Sequence, residues 1–355
     1  MIIDELKYFY FDLILSTPFK NSKETYNKRY GFIIRIKDRQ GNIGYGECSP
    51  LPGLSYENLE DVELQLKKLS NLLQDFNIGD NLQMIENFSS KRNLFPSVKF
   101  GIEQSLFNLW ISRGKNFIGK TYGLTKKEIK VNAVYGIGNK FDIISGIERK
   151  IETGYNTFKL KIGDENFTND YRLVDAVLKY FGNDINLRLD VNGKWDKKRA
   201  EENIEKLSSF KIEYIEEPCE LLDHQIDLSE SSSVPIAVDE SISSPTDVLH
   251  IIRSSNIKFV VLKPMIVTSI FSTIKLIEEA EKNGKNIIIS SSFESTVGRS
   301  ALVFLAALTN HNYAHGLDTA EQFRLNVCDD KFTVKNGNIL FDQAGYPPKF
   351  DLTFA

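Results

Sequence analysis

Five short apolar segments of this chain each carry a charged side chain at or near their end: FKLKIG (158–163), LRLDVNG (187–193), IEYIEEP (212–218), PIAVDES (235–241) and VVLKP (260–264). Lys161, Asp190, Glu216, Asp239 and Lys263 follow one another at intervals of 29, 26, 23 and 24 residues. The acids Asp190, Glu216 and Asp239 are hard oxygen ligands with no thiolate or imidazole among them, a set that suits Mg²⁺, with Mn²⁺ as the alternative. Three anions in one cleft raise each other's pKa, and a divalent cation removes that penalty. A single acid at a strand end is ordinarily solvated or caps the next helix; three in successive units point to a site. Asn192, Glu217 and Glu240 are candidates to orient ligands or to hold a lysine from behind.

Lys159 and Lys161 are two apart on one strand, so both project to one side, and Lys263 arrives from a later strand on the other flank. A metal beside a carboxylate, with a lysine base next to it, suits removal of the very weakly acidic proton alpha to that carboxylate. Lys161 is the candidate base. Lys159 is expected to lower its pKa and to touch the substrate carboxylate.

The intervals equal one strand, one helix and two loops, the rhythm of a (β/α)8-type barrel whose strand carboxyl ends meet at one mouth. Eight strands are expected at 130–135, 157–162, 186–191, 212–216, 235–239, 259–263, 286–291 and 313–317, with helical periodicity between them. Ahead of them, 3–16 and 30–37 read as strands and 56–93 as helical, an α+β module. The polar stretch 18–29 reads as a mobile loop, and the Asn336-Gly337 pair marks a late hairpin. The expected division is a capping domain over 1–96, a barrel over 97–320 and a segment over 321–355 that returns to the cap.

At 355 residues, with a formal net charge of -4 and 41% hydrophobic residues, the chain fits a globular enzyme with no polycationic surface for nucleic acid. No run of about 18 apolar residues marks a membrane span, and Asp4 and Glu5 stand where a secretory leader would carry basic residues. The expected setting is the cytoplasm, the expected partner a small carboxylate substrate, and homo-oligomerisation is left open. Cys48, Cys219 and Cys328 are too scattered for a disulfide framework or a zinc site. Cys219 is expected to pack, and His315 is the one histidine expected near a site.

These residues resemble the enolase superfamily, in its muconate-lactonizing subgroup, with K-x-K on strand two, acids on strands three, four and five, and a lysine on strand six. The strings GYGECSPLPGLSYE (44–57), IEEPCE, AVDES and SSSFESTVG (290–298) resemble the o-succinylbenzoate synthase family within it. The likeness extends over nearly the whole chain. It implies a cap that closes the mouth and a syn-dehydration of 2-succinyl-6-hydroxy-2,4-cyclohexadiene-1-carboxylate in menaquinone synthesis. Lys161 would act as base and then acid, and Lys263 would stabilise the enediolate. By the same resemblance Arg188 would lie near the ligand, and Ser291, Ser292 and Glu294 would close the pocket around the succinyl arm. Related N-acylamino acid racemases and dipeptide epimerases are the rival reading. The epimerases commonly carry D-x-D after strand eight, where this chain has GLDTAEQF with Asp318 as its one early acid.

Overall fold

The computed structural model describes residues 1–20, 25–79, 81–114, 117–136 and 138–352. Its N-terminal module is an antiparallel sheet in the order β1 (Ile3–Lys20), β2 (Thr25–Asp38), β3 (Ile43–Cys48). Along β1, Phe11, Leu13 and Leu15 are buried while Asp12 and Ile14 are exposed, the alternation of a sheet packed on one face. Two helices follow, α1 (Leu59–Leu73) and α2 (Leu82–Ser90). The first opens with an Asn58–Asp61 capping box and buries Val62, Leu66, Leu69 and Leu73, one stripe at helical spacing.

Next comes α3 (Pro96–Arg113), buried over most of its length. It meets β3 so closely that a Cβ on Gly44 or Gly46 would stand 2.0 Å from the carbonyl oxygens of Ser105 or Gly101. Glycine is therefore required for the sheet to lie on this helix.

After α4 (Phe117–Tyr122) and β4 (Lys126–Lys130) the βα rhythm begins. The units are β5 (Ala133–Tyr135) with α5 (Lys140–Glu152), β6 (Thr157–Lys161) with α6 (Phe167–Phe181), and β7 (Asn186–Asp190) with α7 (Lys197–Leu207). They continue as β8 (Tyr214–Glu216) with α8 (Leu222–Ser231), and β9 (Ile236–Val238) with α9 (Pro245–Ser254). Then come β10 (Phe259–Leu262) with the short α10 (Pro264–Val267) and α11 (Ile270–Lys282), and β11 (Asn286–Ile289) with α12 (Thr296–Leu308). The seven strands pair in parallel in the order β11-β10-β9-β8-β7-β6-β5.

Three sequence expectations change here. The stretch expected as an eighth strand over 313–317 makes isolated parallel bridges, Val131 to His315 and Ser290 to Gly316, which join the first and last ladder strands. The α/β barrel is thus closed by seven regular strands and an irregular eighth. The loop expected over 18–29 is largely strand, since β1 continues to Lys20 and β2 begins at Thr25; residues 21–24 lie outside the described ones. The late hairpin, β12 (Val334–Lys335) and β13 (Asn338–Asp342), pairs with β4 at the entry to the barrel rather than with the cap sheet. The residues on either side of the hairpin reach the cap: Phe323 bridges Leu15 of β1, Phe350 packs edge-on to Tyr45 with ring centroids 5.8 Å apart, and Leu352 is buried with Phe11 and Leu13.

Candidate active site

Parallel register carries the charged strand ends to one level. Lys161 on β6 lies opposite Asp190 on β7, and Asp190 lies opposite Glu216 on β8. Asp239 and Lys263 directly follow β9 and β10, beginning at the same rim. Lys161 Nζ donates to Asp190 Oδ2 at 3.2 Å and to Asn192 Oδ1 at 2.7 Å. Lys159 Nζ bridges Glu216 Oε1 at 2.8 Å and Asp190 Oδ2 at 3.1 Å, and Lys263 Nζ contacts both oxygens of Asp239.

Lys159 therefore does not stand free to depress Lys161. Its burial disfavours the ammonium, but Asp190 and Glu216 outweigh that and hold its pKa well above the usual lysine value. Burial likewise works against the Asp190 carboxylate, and Lys159 and Lys161 override it and hold its pKa low. Glu216 goes the other way, raised chiefly by burial, against the pull of Lys159 and with the help of Asp190 and Asp239. One of its oxygens, Oε2, is buried with no hydrogen-bond partner.

The rim loops are strained. Asn192, Glu217 and Phe293 have φ of 51°, 47° and 62°, left-handed backbone in non-glycine residues, each within three residues of the end of β7, β8 or the bridge residue Ser290. Such conformations cost of order 1–3 kcal/mol each and gather where a side chain must be aimed. Glu217 Oε2 accepts from the Asp239 N–H at 2.7 Å and the Ser241 hydroxyl at 3.1 Å, tying the end of β8 to the end of β9. Burial raises its pKa to about 9. Glu240 accepts from Asn192 Nδ2 at 3.2 Å, and its charge, after that of Asp239, helps hold the Lys263 ammonium.

Arg188, expected near the ligand, finds its partners below the rim. It points into the barrel two residues before Asp190, where Nε donates to Glu213 at 2.5 Å and Nη1 to Asn132 Oδ1 at 3.1 Å and the Ala314 carbonyl at 2.9 Å. All three partners come from the amino-terminal ends of barrel strands, so Arg188 fills the floor, over the ring of Tyr214 at 4.7 Å. Tyr214, Phe259 and Tyr313 pack beneath in a row, tilted and then edge-on, with successive centroids 4.9 Å apart. His315 also belongs below the mouth, its Nδ1 accepting from the Ile289 N–H at 3.0 Å, and burial keeps its pKa well below the usual value. Cys219 is buried in the core.

Ser291 and Ser292 follow the end of β11, at the rim, but their hydroxyls are committed. Ser291 donates to Glu294 Oε2 at 2.6 Å, Ser292 Oγ contacts Glu294 Oε1, and the Ser292 N–H donates to Glu294 Oε2 at 2.8 Å. The pair shapes the rim rather than offering free donors. Two buried cap residues absent from the sequence-based site, Glu47 and Arg29, reach this segment. The readable signal was an acid closing an otherwise apolar, glycine-spaced strand (IGYGEC) and a Ser-Thr pair opening the apolar helix TVGRSALVFLAAL.

Among the described residues no group of three His, Cys, Asp or Glu side chains is drawn together as a metal cage. The donor chemistry nevertheless fits a hard divalent cation: three carboxylates at one rim, one of them with a buried oxygen left unpartnered.

A parallel βα barrel with an α+β module on its mouth and carboxylates and lysines at its strand ends defines the class of capped-barrel enzymes. The family model described as enolase C-terminal domain-like matches residues 142–346, and that described as MenC, N-terminal domain, matches residues 4–109. The chain belongs to the enolase superfamily. It is 26% identical to the o-succinylbenzoate synthase of Desulfotalea psychrophila, over 91% of this chain and 95% of that protein. It is 28% identical to the protein PHYLLO, chloroplastic, of Arabidopsis thaliana over 79% of this chain, but spans only 18% of that relative. A solved L-Ala-D/L-Glu epimerase from Bacillus subtilis superposes with a TM-score of 0.86 at 21% identity, over 96% of each chain.

Proposed function

We propose that this chain is an o-succinylbenzoate synthase, a lyase that removes water from 2-succinyl-6-hydroxy-2,4-cyclohexadiene-1-carboxylate to give 2-succinylbenzoate in menaquinone synthesis. The observation that carries this is the match of its cap to the MenC N-terminal domain, joined to a barrel with a lysine on either flank of a carboxylate set. The setting this reading expects is the cytoplasm; no described helix is long and apolar enough to cross a membrane.

In this reading Asp190, Glu216 and Asp239 hold Mg²⁺ or Mn²⁺, which supplies positive charge beside the substrate carboxylate as negative charge builds on it. Lys161 takes the proton alpha to that carboxylate, and the C–H electrons spread into an enediolate. Lys263, on the opposite flank, meets the developing charge. As the enediolate collapses, the C–O bond breaks, the Lys161 ammonium returns its proton to the departing hydroxyl, and the ring becomes aromatic. For Lys161 to act as base, its ammonium must lose its proton and leave Asp190, and a cation held by that carboxylate would favour both. Lys159 is assigned to the substrate carboxylate, and Ser291 and Ser292 to the shape of the wall around the succinyl arm.

Racemisation of N-acylamino acids is the second reading, because lysines on both flanks suit proton exchange on both faces of an α-carbon. The dipeptide epimerase variant is disfavoured: Asp318, the single early acid after the eighth strand, is already paired with Lys150 at 3.2 Å. The test is turnover by the purified, Mg²⁺-supplemented protein of the cyclohexadiene substrate beside an N-succinylamino acid. Dehydration faster than racemisation is expected; racemisation alone would overturn the assignment.

A further inference from the structure

Cap and barrel meet through a buried polar joint that none of the chemistry above uses. Glu47, near the end of β3, is wholly buried and accepts four hydrogen bonds. Its Oε1 takes the Ser49 hydroxyl at 2.6 Å and the Ser295 N–H at 3.1 Å; its Oε2 takes the Ser295 hydroxyl at 2.5 Å and the Gly298 N–H at 2.8 Å. Three of these donors belong to the start of α12, so a cap-domain carboxylate serves as the N-terminal cap of a barrel helix nearly 250 residues away. A Cβ on Gly298 would stand 2.8 Å from Glu47 Oε2, so the approach depends on glycine there.

The same strip of cap holds two adjacent rim segments. Because the one hydroxyl proton of Ser49 goes to Glu47, its N–H supplies the donor to Met265 Sδ, at 3.4 Å. Met265 lies two residues beyond Lys263. Arg29, buried beside Glu47 and Glu294, donates through Nε to the Ser292 carbonyl at 3.3 Å and through Nη1 to the Pro50 carbonyl at 2.6 Å. Its Nη2 contacts the Ser49 carbonyl. The segments after β10 and β11, α10 beside the second lysine and the loop forming the wall, are thus both held from one strip of the cap.

We propose that Glu47 is a positioning residue for substrate recognition: from the cap it fixes the Ser291–Ser295 wall and, through Ser49 and Met265, the loop that carries Lys263. This deepens, and rests on, the proposed dehydratase reading. A carboxylate accepts on both oxygens, whereas an amide in its place turns one acceptor into a donor that faces the α12 N–H groups. Glu47→Gln should therefore loosen the wall without touching the reacting atoms.

The experiment is steady-state dehydration by the full chain with Mg²⁺, for the unmodified protein, Glu47→Gln, Ser295→Ala and the double variant, with folding checked by circular dichroism. Glu47→Gln should raise KM about tenfold, equal to about 1.4 kcal/mol, while kcat falls less than about threefold. Ser295→Ala should raise KM about threefold, and the double variant should be no worse than Glu47→Gln, because both changes break one joint. Unchanged KM in the folded variants, or effects that simply add, would overturn the inference. Should Glu47→Gln not fold, the KM of Ser295→Ala decides alone. Absence of dehydration by the unmodified chain removes the functional reading and this inference together, whereas turnover with unchanged KM in the variants removes only the inference.

Discussion

The barrel interior holds charge at two levels, and they are built on opposite principles. At the floor, Arg188 spends Nε and Nη1 on Glu213, Asn132 and the Ala314 carbonyl, leaves Nη2 without a hydrogen-bond partner, and is sealed by Tyr214, Phe259 and Tyr313. At the mouth, three lysines and three acids share too few good geometries: Lys159 is divided between two carboxylates, and Lys161 keeps 26% of its side chain exposed where Arg188 has none. Buried charge alone therefore does not mark the reactive layer. What marks it is charge whose pairing can be exchanged, where a cation or a substrate anion replaces a partner without breaking the fold.

The largest effect expected from this contrast is at Lys161. Lys161→Ala should lower kcat by about 10³- to 10⁴-fold with the fold intact, measured by product formation and circular dichroism. A variant that keeps more than a tenth of the activity would remove Lys161 as the base. Arg188 should give the reverse pattern. Arg188→Met should cost about 3 kcal/mol by leaving Glu213 and Asn132 without their partner, read by urea denaturation, with KM unchanged in the folded fraction; a rise in KM at unchanged stability would return Arg188 to the ligand.

A third test uses pH. Glu217, ordinarily near 4.5, is raised by burial to about 9, and Glu216 is raised as well. A group raised in the folded state contributes fully below its unfolded pKa, and that contribution is lost as pH rises toward the folded value. Without metal, the melting temperature should therefore fall between about pH 5 and pH 9, and Mg²⁺ should restore more at pH 8.5 than at pH 5.5. Equal stabilisation at both ends would break the link between the rim acids and the cation. Smallest is Ser291→Ala: its hydroxyl is already spent on Glu294, so KM should rise only about two- to threefold. A hundredfold rise would make that hydroxyl a direct substrate contact.

The mouth was more legible in the sequence than the floor or the cap joint, for a physical reason. Lys161, Asp190, Glu216, Asp239 and Lys263 are set by strand length and parallel register, both of which leave a period in the chain. Arg188 shares the inward direction of Asp190, and direction alone does not say at which depth a side chain finds its partners. Its partners Asn132, Glu213 and Ala314 come from distant segments and carry no local signal. The arms over 18–20 and 25–29 carry no apolar alternation to mark a strand, yet the pairing of β1 with β2 continues into them, Phe19 opposite Tyr26 and Lys20 opposite Thr25. The eighth strand is less regular than its sequence suggests: His315 and Gly316 close the ring by single bridges, which a short apolar run does not distinguish from a ladder. Glu47 could not be placed because capping of α12 from β3 is a tertiary contact.

The contrast between the two levels is tested most directly by Mn²⁺ binding, followed by electron paramagnetic resonance at pH 7.5 in the unmodified chain, Glu216→Gln and Arg188→Met. One bound Mn²⁺ per chain is expected in the unmodified protein and in folded Arg188→Met, with affinity at least about tenfold weaker in Glu216→Gln. Binding that survives Glu216→Gln unchanged and is lost in Arg188→Met would contradict the assignment of the cation to the mouth.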